Sequence, residues 1–299
     1  MPELPDVEAY LEALRRMAVG HTLERIRIAS PIILRTVDPP VSAAAGRRIV
    51  GVRRIGKRIV FELEGDLFVV VHLMIAGRFH WKPKGTRVPA KVGHAAFDLD
   101  TGTLMLTEAS SHKRATLHLI EGAAGLEQFA RGGIEPFDAD LASFRDALTR
   151  ESHTLKRALT DPTLFSGIGN AYSDEILHRA KLPPTKLTRT LSDDETSRLY
   201  DATLEVLTEW TDRLVAEARE RFPEKVTAFR PEMAVHGKYG QPCPACGTPV
   251  QRVVHAENEA NYCPTCQTGG KLLADRALSR LLREDWPKTL TELEERLAR

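Results

Sequence analysis

Four cysteines constrain this chain more than any other residues, because all of them fall in two Cys-x-x-Cys pairs, Cys243-Pro-Ala-Cys246 and Cys263-Pro-Thr-Cys266, with sixteen residues between. Each pair can present two thiolates from one tight turn, and the intervening span fits a β-hairpin, so the spacing predicts one tetrahedral Zn2+ site. A shell closed by four thiolates leaves no open coordination position, which makes the metal structural and puts any catalyst elsewhere. Two redox dithiols or a pair of disulfides would use the same residues. The N-terminus lacks the charge pattern of a secretory signal, which argues for a reducing compartment and against them.

At 299 residues, 42% apolar and 28% charged, the chain can bury cores for two domains of ordinary size. Its longest apolar run, Leu67 to Gly77, is interrupted by His72 and is far shorter than the roughly 20 residues that cross a bilayer. A soluble protein without a membrane span is expected. The net charge of +1 gives no sign of a nucleic-acid partner. Locally, Arg47, Arg48, Arg53, Arg54, Lys57 and Arg58 follow one another with no acid among them. This is either a phosphate-facing surface or a solvated pair of strands.

Val7, Leu11, Leu14 and Met17 recur at helical spacing, with Pro5 acceptable in a first turn, so a helix is expected over residues 5–18. LERIRIA, RIVFELEG, LFVVVHLM, AAFDLD and TLMLTEA then read as strands of a β-sandwich or distorted barrel up to about Ile134. RGGIEPFDAD marks a boundary, after which helices dominate. Ser192-Asp193-Asp194-Glu195 is a capping box ahead of a helix reaching about Glu220. Residues 222–240 read as a loop, and LLADRALSRLLREDW and TLTELEERLAR have helical spacing. The fold class is therefore α+β and multidomain. A sandwich occupies 1–134, a helical domain 139–222, a zinc finger 236–270 and a helical extension 271–299.

Pro2 is small enough that removal of Met1 is expected, exposing a secondary amine beside Glu3. Such an amine, on attacking C1′ of a deoxyribose, gives an iminium ion that is an electron sink without needing a proton. The reference α-amino pKa of about 8 leaves a useful neutral fraction near pH 7, and Glu3 can shuttle protons. Taken alone, the same residues read as a disordered terminus or a helix lead-in.

The opening MPELPDVE resembles the N-terminal signature of the formamidopyrimidine-DNA glycosylase and endonuclease VIII family. Lys57 in Gly-Lys-Arg is similar to the family's motif lysine, and Gly167-Ile168-Gly169-Asn170 to its helix–two-turns–helix signature. The zinc finger completes the order from Pro2 to Gln267. The resemblance implies a DNA repair enzyme, a bifunctional glycosylase and abasic-site lyase for oxidised bases in double-stranded DNA, monomeric and in the bacterial cytoplasm. It further implies Pro2 as Schiff-base nucleophile, Glu3 as general acid/base, and Lys57 as phosphate contact and proton donor. Asn170 would grip phosphate, and His72, Met74 and His94 would lie on the DNA face, with Met74 as the wedge that fills the hole left by a flipped nucleotide.

Three places depart from that pattern. Purine-excising members carry an Asp-Pro-Arg-Arg-Phe-Gly loop, where this chain has Glu108-Ala109-Ser110-Ser111-His112-Lys113-Arg114-Ala115-Thr116. Arg114 can take the arginine's place, but no aromatic follows it. Asp6 replaces a glutamate of the opening motif, and Asn258 stands where the family has a zinc-hairpin arginine. Two other readings stay open: a same-fold enzyme for abasic sites or bulky lesions, and a non-catalytic damaged-DNA-binding protein.

Overall fold

The computed structural model describes residues 1–255, 258–274 and 287–297. The chain forms two compact units, one of residues 1–131 and 208–227, the other of residues 132–207 and 228–299.

The first unit opens with α1 (Leu4–Met17), started by a reciprocal capping box: Asp6 Oδ2 accepts the Glu3 N–H at 3.0 Å, and the Glu3 carboxylate accepts the Asp6 N–H. The shorter Asp6 side chain thus still makes the backbone contact that closes this helix start. One face of α1 buries Leu4, Val7, Tyr10, Leu11 and Leu14.

Eight strands follow: β1 (Thr22–Ile28), β2 (Arg47–Ile55), β3 (Arg58–Leu63), β4 (Leu67–His72), β5 (Gly77–Lys82), β6 (Gly93–Leu99), β7 (Thr103–Glu108) and β8 (Thr116–Glu121). They pair antiparallel in the order β5-β7-β6-β1-β2-β3-β4-β8. Pairing between β1 and β2 is limited to Thr22↔Arg48 and Leu23↔Arg47, which makes it the corner between two four-stranded halves. One apolar cluster draws Phe61, Val69 and Val71 from one half and Phe79, Phe97 and Leu106 from the other, the arrangement of a sandwich. Burying each phenylalanine here contributes about 1.5–3 kcal/mol. The continuous LFVVV of β4 has a separate cause. Val69 and Val71 face the main core, whereas Phe68 and Val70 pack with Leu126 and Phe129 on the other side, so this strand is covered on both faces.

Two strands were not legible as such, β5 and β8, which carry histidines at half-buried positions, and arginine-rich β2 was offered only as one of two alternatives. In β2 the solvated-strand alternative fits three of the arginines. Arg53 pairs with Glu62 at 2.6 Å, Arg54 with Glu8 at 3.0 Å, and Arg47 donates to the carbonyls of Ala43 and Glu64. The missing acids come from neighbouring elements, which local sequence does not reveal.

The second unit contains α2 (Leu141–Thr149), α3 (Leu155–Thr160), α4 (Asn170–Arg179) and the first part of α5 (Asp193–Glu220). The capping box of α5 is reciprocal, Glu195 N–H to Ser192 Oγ at 3.1 Å and Ser192 N–H to Glu195 Oε2 at 2.9 Å. Phe144, Phe165 and Tyr200 form the aromatic centre of this unit. Beyond an irregular stretch after α5 come the hairpin β9 (Gln251–His255) and β10 (Asn258–Tyr262), then α6 (Pro264–Thr268) and α7 (Leu290–Leu297). The helical reading of LLADRALSRLLREDW falls almost wholly on 275–286, outside the described residues.

Candidate active site and zinc centre

The chain start is enclosed. Pro2 is buried, Glu3 is 2% exposed and Asp6 1%. The terminal amine, carried by Met1, is pushed below its ordinary range chiefly by burial; Glu3 and Asp6 act against this, and Arg78 and Lys57 reinforce it. The charges acting on the start of the chain are therefore two carboxylates and two cations. Lys57 stands at a two-residue turn joining β2 to β3, where Gly56 takes φ 58°, a left-handed conformation open to glycine. Arg78, which sequence reasoning did not single out, donates to the carbonyls of Ile75 and Gly77 and braces the β4–β5 turn.

His72 closes β4 opposite Arg58 and Thr116. Burial, with the charges of Arg58, Lys57 and Arg131 beside it, pushes its imidazolium down to about 3. The ring is thus neutral at pH 7. Its Nδ1 accepts the Met74 N–H at 3.0 Å, which leaves the ring proton on Nε2. Arg58 lies over the Phe129 ring, 5.4 Å from its centroid. A neutral N–H donor among three cations suits an anion such as a phosphodiester.

The turn after His72 carries Met74, expected as the wedge. Met74 is half-buried with φ 52°, whereas the next residue, Ile75, is 54% exposed. Ile75 is the more exposed of the two apolar residues at this turn. Sequence pointed to Met74 and gave no signal of the exposed neighbour beside it.

His94 requires a plainer correction. Every residue of β6 is buried, and His94, 1% exposed, does not lie on an open face. Its Nε2 is 2.9 Å from Glu108 Oε2, and its Nδ1 has no hydrogen-bond partner among the described residues. The Glu108 carboxylate also accepts the backbone N–H groups of Arg114 (3.0 Å) and Ala115 (3.2 Å). This buried pair shapes the loop that leaves the Arg114 side chain exposed. Glu108 carried no recognisable motif, so sequence reasoning missed it.

In the second unit the glycines of Gly167-Ile168-Gly169-Asn170 lead into α4, whose start has no side-chain cap. Asn170 is half-buried, and its Nδ2 donates to the Glu259 carbonyl of β10 at 3.0 Å. Lys156 Nζ bonds both the Asn170 carbonyl (2.6 Å) and the buried Asp174 (2.5 Å), and Asp174 in turn meets His236 Nδ1 at 2.8 Å. Glu175 accepts the N–H groups of Ala234, Val235 and His236. The start of α4 is thereby fixed to the segment preceding the cysteines.

The four cysteine sulfurs lie within 4.8 Å of one another. Cys246 and Cys263 are 3.4 Å apart, Cys243 and Cys266 4.0 Å. A tetrahedron with Zn–S bonds of about 2.3 Å has edges of about 3.8 Å, so the cage fits one zinc ion. Without a cation, burial pushes the Cys263 thiol well up and that of Cys266 to about 11. Ligation to a dication removes both protons. Bound zinc supplies folding energy to this hairpin and no reaction chemistry. Among the described residues no helix is long and apolar enough to cross a membrane.

Three family profiles match the chain in order. The formamidopyrimidine-DNA glycosylase N-terminal domain covers residues 1–114, its H2TH domain residues 133–213, and a zinc finger found in FPG and IleRS residues 240–269. The formamidopyrimidine-DNA glycosylase of Heliobacterium modesticaldum is 35% identical, covering 89% of this chain and 100% of that protein. That of Thermus thermophilus is 36% identical, covering 90% and 100%. Among solved structures, the MutM (Fpg) protein of Thermus thermophilus superposes with a TM-score of 0.75 at 34% identity, covering 89% of this chain and 98% of that one. Lactococcus lactis Fpg complexed with DNA containing an abasic site gives 0.78 at 27%, covering 89% and 99%. With its helix-led sandwich, its Gly-rich start to α4, its cysteine cage and these relatives along nearly its whole length, the chain belongs to the formamidopyrimidine-DNA glycosylase family.

Proposed function

We propose that this chain is a base-excision repair enzyme, a DNA glycosylase with abasic-site lyase activity, acting as a monomer on damaged double-stranded DNA in the bacterial cytoplasm. The observation that carries the reading is the buried chain start, where the charges of Glu3, Asp6, Arg78 and Lys57 converge on the terminal amine. Once Met1 is removed, the Pro2 nitrogen displaces the protonated base at C1′ and gives up its N–H proton, and the C1′–O4′ bond then breaks with protonation of O4′, leaving a ring-opened sugar held as an iminium ion. Glu3 moves protons at the sugar, and Lys57 meets the phosphate and donates to it. His72, through Nε2–H, and Asn170, at the start of α4, contact the backbone; Arg114 faces the orphaned base. Met74, with the more exposed Ile75 beside it, fills the space left by the flipped nucleotide. His94 shapes the loop and touches no DNA.

Borohydride reduction in the presence of abasic-site DNA tests this. A covalent adduct is expected from protein shown to begin at Pro2, and none from Pro2→Gly blocked by a retained methionine. Native protein that binds the DNA yet never traps would be a non-catalytic damage-binding protein. One observation favours a second reading: the loop after Glu108 carries no aromatic beside Arg114, which suits an enzyme of this fold specialised for abasic sites or bulky lesions. Excision rates over a panel of oxidised purines and pyrimidines separate the two enzymes.

A further inference from the structure

His178 lies in the last turn of α4, half-buried, and its Nε2 is 3.3 Å from the sulfur of Cys243. A zinc-bound thiolate is an acceptor only, so the ring nitrogen facing it must carry the proton. Four thiolates around one dication leave two excess negative charges, and an N–H aimed at a sulfur withdraws part of that charge. Cys263 receives such a bond from the backbone N–H of Cys266 at 3.5 Å, a donor that no substitution short of proline removes. The donor to Cys243 is a side chain and depends on residue identity.

A second contact runs between the same two elements. Gln267, 4% exposed, accepts the Cys263 N–H at 2.8 Å and donates to the Leu182 carbonyl, just beyond α4, at 2.9 Å. Both cysteine pairs are thus tied to α4 and its C-terminal flank, one through His178 and the other through Gln267.

We propose that His178 is a positioning residue of the zinc centre, whose Nε2–H bond to the Cys243 thiolate retains the metal and registers the finger on α4. Outer hydrogen bonds of this kind change metal affinity by about 10- to 100-fold when removed. A residue present only for packing would be replaced well by another ring. A hydrogen-bond donor would be replaced better by an amide.

The test uses the full chain loaded with zinc, as native protein and as His178→Phe and His178→Gln. Competition with a chromogenic chelator should show the Phe variant losing zinc about tenfold or more readily, with most of that loss recovered in the Gln variant. With cobalt(II) in place of zinc, the thiolate-to-metal charge-transfer band should move to lower energy in the Phe variant and return in the Gln variant. Native-like retention and an unmoved band in the Phe variant overturn the proposal, as does equal loss in both variants. If the Phe variant does not fold, the Gln variant decides alone: native-like retention supports the bond, and a loss of about tenfold overturns it. A native chain that takes up neither metal would instead overturn the cysteine cage as a zinc site.

Discussion

At the scale of single residues, three sites discriminate: the turn after β4, His72 and Asn258. Ile75 is exposed while Met74 is half-buried with a left-handed backbone. Met74→Ala should slow excision of a base in duplex DNA about tenfold or more while sparing cleavage of a preformed abasic site, with Ile75→Ala having the smaller effect on excision; single-turnover rates on both substrates compare them. His72 sets a pH limit. Its folded pKa of about 3 lies below the unfolded value of about 6.5, so acidification protonates the unfolded chain first and stability falls from pH 6.5 downward. By pH 5 the loss is at most about 2 kcal/mol, and urea melts at pH 7 and 5 should show it shrink in His72→Gln. The third site is Asn258, where the resemblance to the family leads one to expect an arginine. Its backbone opens β10, opposite His255. Arg252, the other hairpin cation considered, is held between the Tyr239 ring (4.4 Å) and Glu259 (3.1 Å). With no guanidinium at position 258, the β-elimination nick should accumulate ahead of the one-nucleotide gap, and Asn258→Arg should raise gap formation roughly tenfold on denaturing gels.

At the scale of elements, the loop between β7 and β8 is the most distinctive part of the first unit. Its shape comes from Glu108, which gathers His94 and two backbone N–H groups, and its tip offers Arg114 without an aromatic neighbour in the chain. Base–aromatic stacking is worth about 1–3 kcal/mol, so rates with cytosine, adenine, guanine or thymine opposite the lesion should stay within roughly tenfold of one another. A strong cytosine preference would contradict this. The same elements show what sequence can reveal. β3 and β4 were readable because burial on one or both faces leaves an apolar signature that is local in the chain. β2 was readable only as one of two alternatives, since the carboxylates that neutralise Arg53 and Arg54 come from β3 and α1. His94 and His72 look alike in the sequence, yet one lies under a loop and the other among cations, a difference set wholly by non-local packing. The cysteine cage was legible because its ligands advertise themselves in pairs. His178 beside it was not, because a helix turn brings it there from 65 residues away.

At the scale of the molecule, the two units carry separate cores, and the cysteine cage belongs wholly to the second. Chelation should therefore weaken DNA binding while the first unit keeps its cooperative thermal transition; loss of both together would contradict the division. The division also has a consequence for the order in which the chain can fold. Phe222 packs on Tyr10 and Trp81, and Val226 joins the core of the first unit, although both residues follow most of the helices of the second. During synthesis the sandwich therefore waits, with the Tyr10 side of α1 uncovered, until residue 226 has left the ribosome, some time after its last strand has been made. A fragment ending at residue 131 would be trapped in that unfinished state, whereas one carrying residues 208–227 on a short linker would supply its own missing wall.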